Sequence, residues 1–465
     1  MHCRKYLQCI FLTGFAIYDK FISALKKGER NMKKGNPWAL LPIGVFLLVY
    51  LGLGLTFEYI MKIEMGFYNV PIIIAFLIAI LVACLQNRKV NFESKLEIMG
   101  RGVGDKNIIT MLLIFLVAGT FVGVVGRSGA QSVAYFLLSL VPAKFAMGIL
   151  FVVACFVSTA MGTSVGTITL ITPIAVEVAA ACGFDIPLCV GTIVGGAMFG
   201  DNLSFISDTT IAACNGQGCP MKAKFQGNFL IALPAAVITL LLVLAVSANT
   251  AGEQVIGDYN LLQVVPYLLV LIGGVIGMNV FVVLIGGIVC GSIIMMATGE
   301  VAAYNLLANM GSGAAGMFET SMVAVLVAAL CGLIREAGGF DALLYNIRKI
   351  FKGKKGGQIG IGLLVGMMDI ATANNTVAIV IANPIAKQMS EDYEITPERT
   401  ACLLDTFSCI MQGIIPYGAQ ILVAIAAVTE MGYQISAFDI IPNLFYPYLL
   451  LACSLVAILM SQKKK

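Results

Sequence analysis

The stretch 262–298 reads LQVVPYLLVLIGGVIGMNVFVVLIGGIVCGSIIMMAT and contains no Asp, Glu, Lys or Arg. As one helix it would be about 55 Å long at ~1.5 Å per residue, whereas the hydrocarbon core of a bilayer is about 30 Å thick. The segment therefore predicts two membrane spans joined by a turn near Gly277, Met278 and Asn279. A polytopic membrane protein is the fold class that such a run indicates.

The composition of the whole chain agrees with this class. Of its 465 residues 59% are hydrophobic and 12% are charged, about half the ~25% charged residues of soluble domains. The 13 cysteines are scattered through apolar runs, where cysteine behaves as a small hydrophobe, so they predict no disulfide framework or zinc site. The formal net charge of +4 is small, and the position of the basic residues matters more than their sum.

Ten apolar segments are long enough to span a bilayer. They lie at about 38–60, 69–86, 108–126, 187–210, 227–247, 262–279, 280–298, 320–337, 400–428 and 437–460. Two further apolar regions, 145–181 and 357–389, are each cut by a polar cluster, MGTSVGT at 161–167 and ATANNT at 371–376. Since the flanking arms run only about 14–18 residues, both regions predict re-entrant hairpins that enter and leave on one side of the membrane.

The loop charges agree with ten spans and two hairpins. Basic residues cluster at 26–34, 88–106, 348–355 and 463–465, whereas the loops at 248–260 and 299–319 carry no Lys or Arg. The positive-inside rule then places both termini in the cytoplasm. We expect a cytoplasmic N-terminal extension at 1–36 and a single membrane domain at 37–465. Residues 1–31 precede a second Met, and we interpret them as an upstream extension of the reading frame.

An internal repeat relates the two hairpins. LVAGTFVGVVGRSGA at 116–130 resembles VLVAALCGLIREAGG at 325–339, and TITLITPIA at 167–175 resembles AIVIANPIA at 378–386. The repeats extend over about 108–247 and 320–460. Because five spans separate the two starting points, the halves point in opposite directions. Inverted repeats with broken helices at matching positions are typical of secondary transporters, whose binding site lies at those breaks.

The densest polar run within a span is GDNLSFISDTT at 200–210. Unpaired charge and unwound backbone at membrane depth are tolerated where they line a cavity, and such residues usually mark a functional path. Asp201 and Asp208 are seven residues apart and would share a face of a continuous helix. The alternative is an inert, solvated end of this span. A second broken span at 405–420, rich in Gly, Pro and amide residues, favours the functional interpretation.

These broken regions supply oxygen atoms, which hard cations prefer as ligands. The only histidine is His2, so a proton carrier must be a carboxylate or a lysine. The candidate cation and proton ligands are Asp201, Asp208, Asn202, Ser204, Ser207, Thr209, Thr163, Ser164, Asn374, Asn375 and Thr376, and the further candidates are Asp369, Asp405 and Gln412. The N-termini of the half-helices also suit an anion, which leaves a carboxylate substrate open.

Several function classes are disfavoured by the sequence. It contains no Walker A loop, no Gly-rich dinucleotide motif and no basic-aromatic nucleic-acid patch, so we expect neither ATP-driven transport nor a nucleic-acid partner. No nucleophile-base pair or metal-ligand cluster indicates an enzyme, and no resident cofactor is expected beyond transported Na⁺ and H⁺. Membrane lipid and a transported ion or small molecule are the partners that we expect.

At 200–210, 162–164 and 369–420 the sequence resembles the NhaC family of sodium/proton antiporters, which carries a similar Gly-Asp…Ser-Pro…Ser-Asp-Thr-Thr signature. The resemblance covers roughly 36–460, and Phe205 stands where the family usually has proline. It implies an ion-transporter superfamily fold, often a homodimer, with Na⁺ and proton exchange assigned to Asp201 and Asp208. The leading hypothesis is therefore Na⁺/H⁺ antiport in the cytoplasmic membrane, and the alternative is sodium- or proton-coupled transport of a small organic acid or amino acid.

Overall fold

A computed structural model describes residues 35–63, 66–86, 88, 90–250, 252 and 254–460, and the secondary structure of these residues is helical with no strand. Nine described helices are long and apolar enough to cross a membrane, or ten if the bent pair Ala437–Asn443 and Phe445–Met460 forms one span. The prediction of an all-α polytopic membrane protein is confirmed. Most of the predicted extension at 1–36 and the basic residues 463–465 lie outside the described residues.

The α-helices are numbered here in chain order. They are α1 (Leu41–Leu47), α2 (Ile72–Gln86), α3 (Phe92–Val103), α4 (Lys106–Leu140), α5 (Ala143–Met161), α6 (Ser164–Cys182), α7 (Ile186–Leu203), α8 (Asp208–Gln217), α9 (Met221–Thr250), α10 (Leu261–Val275), α11 (Val280–Ala297), α12 (Leu306–Gly316), α13 (Phe318–Glu336), α14 (Gly339–Ile350), α15 (Gly353–Thr372), α16 (Asn375–Asp392), α17 (Pro397–Ile414), α18 (Ala419–Glu430), α19 (Ala437–Ile440) and α20 (Phe445–Met460). A 3₁₀ turn at Pro37–Leu40 precedes α1, which continues through π-helical turns at Leu48–Leu53 and Thr56–Ile60.

Two helical hairpins lie where the polar clusters predict them. Hairpin 1 consists of α5 and α6, and hairpin 2 consists of α15 and α16; in each hairpin the two arms pack on each other. The arms are 19 and 19 residues long in hairpin 1 and 20 and 18 in hairpin 2, so three of the four exceed the predicted 14–18 residues. Part of each polar cluster belongs to the helical arms, so the apolar runs alone underestimated the length of the arms.

Two broken helices follow the hairpins, and their bounds recur at a constant spacing. Broken helix 1 comprises α7 and α8, and broken helix 2 comprises α17 and α18. Each first half is 18 residues long, and α7 and α17 begin 211 residues apart. The helices that follow the breaks, α8 and α18, also begin 211 residues apart. The repeat therefore extends to the backbone of both breaks.

The tips of the two hairpins share one backbone conformation. Gly162 and Ala373 end the first arms in the left-handed region, with φ of +68° and +45°. The next residue, Thr163 or Asn374, is extended and caps the second arm by accepting a backbone N–H bond at 3.4 or 3.0 Å. A left-handed alanine costs about 1–2 kcal/mol, so the surrounding contacts must hold the second tip in place.

Three helices occupy segments that the apolar pattern assigned to loops. They are α3, α12 and α14. These helices are short, at 12, 11 and 12 residues, and a search for long apolar runs does not find them. In addition, α4 continues to Leu140, beyond the predicted end at 126, where Gly126 with φ of +63° kinks the helix. The polar residues after the kink explain why the sequence pattern stopped there.

The apolar core is divided between the two hairpins. Buried side chains of hairpin 1, α7, α10 and α18 form one cluster. Those of hairpin 2, α2, α13 and the first half of α17 form another. The tip of each hairpin lies beside the break in its own half of the repeat, Gly162 next to Ile206 and Ser207, and Ala373 bonded by Gln412. Polar residues of both tips line one cavity.

Candidate functional site

A cavity of about 460 Å³ lies where the two hairpin tips and the break of helix 1 converge. We call it the central cavity. Residues of α4 and of the α10–α11 turn complete its wall. Its polar lining consists of Asn107, Thr110, Thr163, Ser164, Asp201, Ser207, Asp208, Thr209, Asn279, Asn374, Asn375, Thr376 and Gln420. Nine of the predicted ligands are in this set, and they come from both halves of the repeat.

Asp201 is the most extensively bonded acid in the cavity wall. It lies in the last turn of α7 and is 7% exposed. Its Oδ2 atom accepts a hydrogen bond from Ser164 Oγ at 2.7 Å, and its Oδ1 atom accepts one from Ser207 Oγ at 2.5 Å. One hydroxyl belongs to the tip of hairpin 1 and the other to the break, so the carboxylate joins these two elements.

The hydroxyl groups are themselves held by a second set of contacts. Ser207 Oγ lies 2.8 Å from Thr209 Oγ1. Gln420 of α18 donates from Nε2 to Ser164 Oγ at 3.1 Å, which brings the second half of the repeat to the same cluster. Carboxylate and hydroxyl oxygens of this kind are the ligands that a hard cation takes. Charge-assisted O–H bonds to Asp201 also hold the carboxylate in one orientation.

Helix termini of opposite polarity line different parts of the cavity. Asp201 lies at the C-terminal end of α7, where the helix macrodipole favours a cation. The N-terminal residues of α6 and α16, Ser164 and Asn375, line the same cavity, and a helix N-terminus favours an anion. The cavity therefore offers an environment for a cation beside one for an anion.

Asp208 occupies a different position from the one that helical continuity predicts. The chain leaves the helix at 204–207, so Asp201 ends α7 whereas Asp208 begins α8. The two carboxylates would share a helix face only in a continuous helix, and that condition is not met because the break lies between them. Asp208 is exposed in the cavity wall. The interpretation of the run as a solvated helix end does not fit, since Gly200 to Ser204 are buried.

Two of the predicted ligands in this run do not reach the cavity. Ser204 is 1% exposed, and its Oγ atom accepts the backbone N–H of Ile206 at 3.3 Å, which stabilises the bend. Asn202 points toward α9, where its side-chain oxygen accepts a bond from Asn228. Phe205 stacks on Phe225 of α9 with ring centroids 4.6 Å apart, so ring packing holds the bend at the position where the resembled family has proline.

The three further candidates also lie outside the lining of the cavity. Gln412 donates from Nε2 to the Ala373 carbonyl at 3.0 Å and holds the left-handed residue of the second tip. Asp369 is 0% exposed in the first arm of hairpin 2. Asp405 is 1% exposed in α17. These acids belong to the protein interior around the cavity.

A buried ion pair that the sequence did not reveal links the two broken helices. Lys224 of α9 and Asp405 of α17 form a salt bridge, and both side chains are 1% exposed. Lys224 Nζ also donates to the Asn202 carbonyl and to Thr210 Oγ1, each at 2.7 Å. One ammonium group therefore joins the end of α7, the start of α8 and α17. Lys224 lies outside the predicted span at 227–247, so the apolar pattern did not mark it as a residue of the membrane domain's interior.

The inverted repeat, the broken helices and the polar cavity between two apolar cores define a multi-pass membrane transporter of the secondary type. The Na⁺/H⁺ antiporter family profile matches residues 39–248 and 254–462. The chain belongs to this Na⁺/H⁺ antiporter family.

The chain is also similar to named antiporters. The malate-2H⁺/Na⁺-lactate antiporter of Bacillus subtilis is 24% identical over 346 residues, which are 67% of this chain and 72% of the relative. The Na⁺/H⁺ antiporter NhaC of the same organism is 24% identical over 386 residues, 74% of this chain and 83% of the relative. Among solved structures, the YdaH transporter of Alcanivorax borkumensis matches 77% of this chain and 89% of its own, with 15% identity and a TM-score of 0.40.

Proposed function

We propose that the protein exchanges Na⁺ for H⁺ across the membrane, and that both ions compete for the carboxylate of Asp201. The observation that supports this most directly is the position of Asp201, because it lies in the cavity wall with hydroxyl groups on both carboxylate oxygens. A carboxylate holds either a proton or a cation, and this competition couples the two fluxes. Membership in the Na⁺/H⁺ antiporter family supports the same exchange.

Asp208 has a different role in this proposal. Its carboxylate is exposed at the cavity wall. An exposed acid attracts cations from solution without holding them tightly, and salt screens that attraction. We expect Asp208→Asn to raise the apparent KM for Na⁺ at low ionic strength and to change the maximal rate little.

Reconstituted protein tests the assignment of Asp201. Proteoliposomes that contain a pH-sensitive dye receive Na⁺, Li⁺ or K⁺ in turn, for the wild type, Asp201→Asn and the control Asp258→Asn. Asp258 is an exposed acid of the α9–α10 loop, so the control makes the same chemical change away from the cavity. We expect Na⁺-driven proton movement in the wild type and the control and none in Asp201→Asn. Full activity in Asp201→Asn would refute the assignment.

A second candidate function is Na⁺- or H⁺-coupled transport of a small organic acid, and the size of the cavity favours it. The cavity of about 460 Å³ is far larger than one ion requires and lies within the ~300–1,000 Å³ range of small-molecule sites. The N-termini of α6 and α16 would receive the carboxylate while Asp201 holds the cation. Thermal stabilisation of the purified protein by malate or lactate only when Na⁺ is present would support this function.

We further propose that the protein lies in the cell membrane with both termini in the cytoplasm. The charge asymmetry of the loops supports this orientation. Single cysteines introduced at Lys352 and at Asp258, in a variant without native cysteines, would report the two faces to an impermeant thiol reagent. In intact cells we expect labelling at 258 alone.

A further inference from the structure

A second buried acid, Asp369, has no basic partner in the described part of the chain. It is 0% exposed, and neither carboxyl oxygen receives a hydrogen bond. No described Lys or Arg forms an ion pair with it. Its neighbours in α15, Val365 and Met368, belong to the apolar core around hairpin 2. A bare carboxylate in such surroundings is strongly disfavoured.

The repeat shows that the position corresponding to this acid in the first half is not ionisable. Residue 158 of hairpin 1 corresponds to residue 369 at the spacing of 211, and residue 197 corresponds to residue 408. In the first half, Ser158 Oγ donates to the Ala197 carbonyl at 2.5 Å and closes α5 against α7. In the second half a carboxyl and a hydroxyl, Asp369 and Ser408, face each other at the same junction between α15 and α17. The first half closes this junction without any ionisable group.

We propose that Asp369 is a proton-binding site, and that hairpin 2 closes against α17 only when this carboxyl carries its proton. Binding adds one proton to a carboxylate oxygen and removes one negative charge; release breaks the same O–H bond and returns the proton to water. A cation is a poorer occupant, because a hard cation needs several oxygen ligands and Ser408 is the hydroxyl that faces the carboxyl.

Ser408 lies between this site and a residue that lines the central cavity. Ser408 Oγ also lies 3.4 Å from the carbonyl oxygen of Asn375, and Asn375 lines the cavity. The described titratable groups that face Asp369 are Cys409 of α17 and Tyr417 of the second break. The Tyr417 hydroxyl donates to the Ile370 carbonyl at 2.7 Å, and neither group is a base that would take the proton.

An assay of Na⁺ counterflow distinguishes the proposed role of Asp369 from that of Asp201. Exchange of external radioactive Na⁺ for internal Na⁺ needs no proton at Asp201, and alkaline pH only favours Na⁺ there. If closure needs a protonated Asp369, counterflow of the wild type falls as the pH rises, because the ionised carboxyl opposes closure. In Asp369→Asn, which cannot ionise, we expect counterflow without this alkaline decline and with an unchanged KM for Na⁺. Asp369→Ser, which copies the residue of the first half, should behave in the same way.

Infrared spectroscopy gives a readout that does not depend on the transported solute. The wild type at neutral pH should show the C=O stretch of a protonated carboxylic acid, and this band should be missing from both variants. The flux test rests on the proposed Na⁺ exchange, whereas the infrared band does not depend on it. If the wild type shows no Na⁺ flux, the proposed function is rejected. The carboxylic acid band then tests the inference about Asp369 by itself. An equally steep alkaline decline in the variants, counterflow lost at every pH, or an unchanged carboxylic acid band would each overturn the inference.

Discussion

The buried pair of Lys224 and Asp405 predicts that one variant is severely destabilised and that a second substitution rescues it. Both side chains are 1% exposed. Lys224→Met removes the ammonium group and leaves the carboxylate of Asp405 with a single hydrogen bond, from Asn228 Nδ2 at 3.4 Å. Removal of one partner of a buried ion pair costs about 3–5 kcal/mol, because the other charge stays buried without compensation. We expect this cost for Lys224→Met.

The opposite single variant should cost less. In Asp405→Asn the ammonium group keeps two acceptors at 2.7 Å, the Asn202 carbonyl and Thr210 Oγ1, and each charged hydrogen bond contributes about 1.5–3 kcal/mol. The double variant Lys224→Met/Asp405→Asn contains no unpaired charge. Replacement of a buried pair by neutral groups of similar size is often close to neutral, so we expect the double variant within about 1 kcal/mol of the wild type, with a coupling free energy of about 3 kcal/mol.

Unfolding by SDS in mixed micelles, followed by circular dichroism, measures the free energy of unfolding of the four proteins. The variant Lys222→Met provides the control, because it makes the same chemical change at an exposed residue in the first turn of the same helix. The reasoning is refuted if the double variant is as unstable as the sum of the two single variants. It is also refuted if Lys224→Met costs no more than Lys222→Met.

Two further predictions concern the hairpin tips. Ala373→Gly should stabilise the protein by about 1 kcal/mol, because φ at this residue is +45° and glycine adopts the left-handed region without the penalty of a side chain; the same SDS titration measures this gain, and a loss of stability would contradict it. Gly162→Ala should lower both stability and the rate of Na⁺-driven proton movement, because the added methyl carbon would lie 3.0 Å from the backbone of Ile206 and Ser207 at a φ of +68°; an unchanged transport rate would show that the tip tolerates displacement.

The sequence predicts the positions of the spans and breaks well, because each depends on local chemistry. Apolar runs locate the long helices, and polar clusters locate both hairpin tips. The short helices α3, α12 and α14 were missed because they lack long apolar runs. The division of residues 200–210 into a cavity-facing acid, Asp201, and a structural amide, Asn202, depends on where the helix ends, and sequence spacing does not give that residue.

Long-range partners could not be predicted from local patterns. Lys224 and Asp405 are 181 residues apart. The lysine precedes the apolar run of its helix, and a lysine at such a position is more simply interpreted as part of a loop. Asp369 lies within an apolar arm and stood out in the sequence. That no described base pairs with it is seen only once the hairpin is packed against its neighbours. Charged residues near the end of a span, such as Lys224, should therefore be compared with the opposite charges of the broken helices as candidate buried partners.

The two halves of the repeat share a backbone but not their ionisable groups, and this difference bears on how exchange is coupled. At the breaks, Asp201 in the first half corresponds to Gln412 in the second; at the hairpin arms, Ser158 corresponds to Asp369. At these two junctions, each half has an acid where the other half has a neutral side chain. If both halves carried the same acids, Na⁺ and H⁺ would find equivalent sites on the two sides of the pseudo-symmetry axis. With acids at different junctions, the two proposed roles fall on different residues: Na⁺ and H⁺ compete for Asp201, and a further proton on Asp369 controls the closure of hairpin 2.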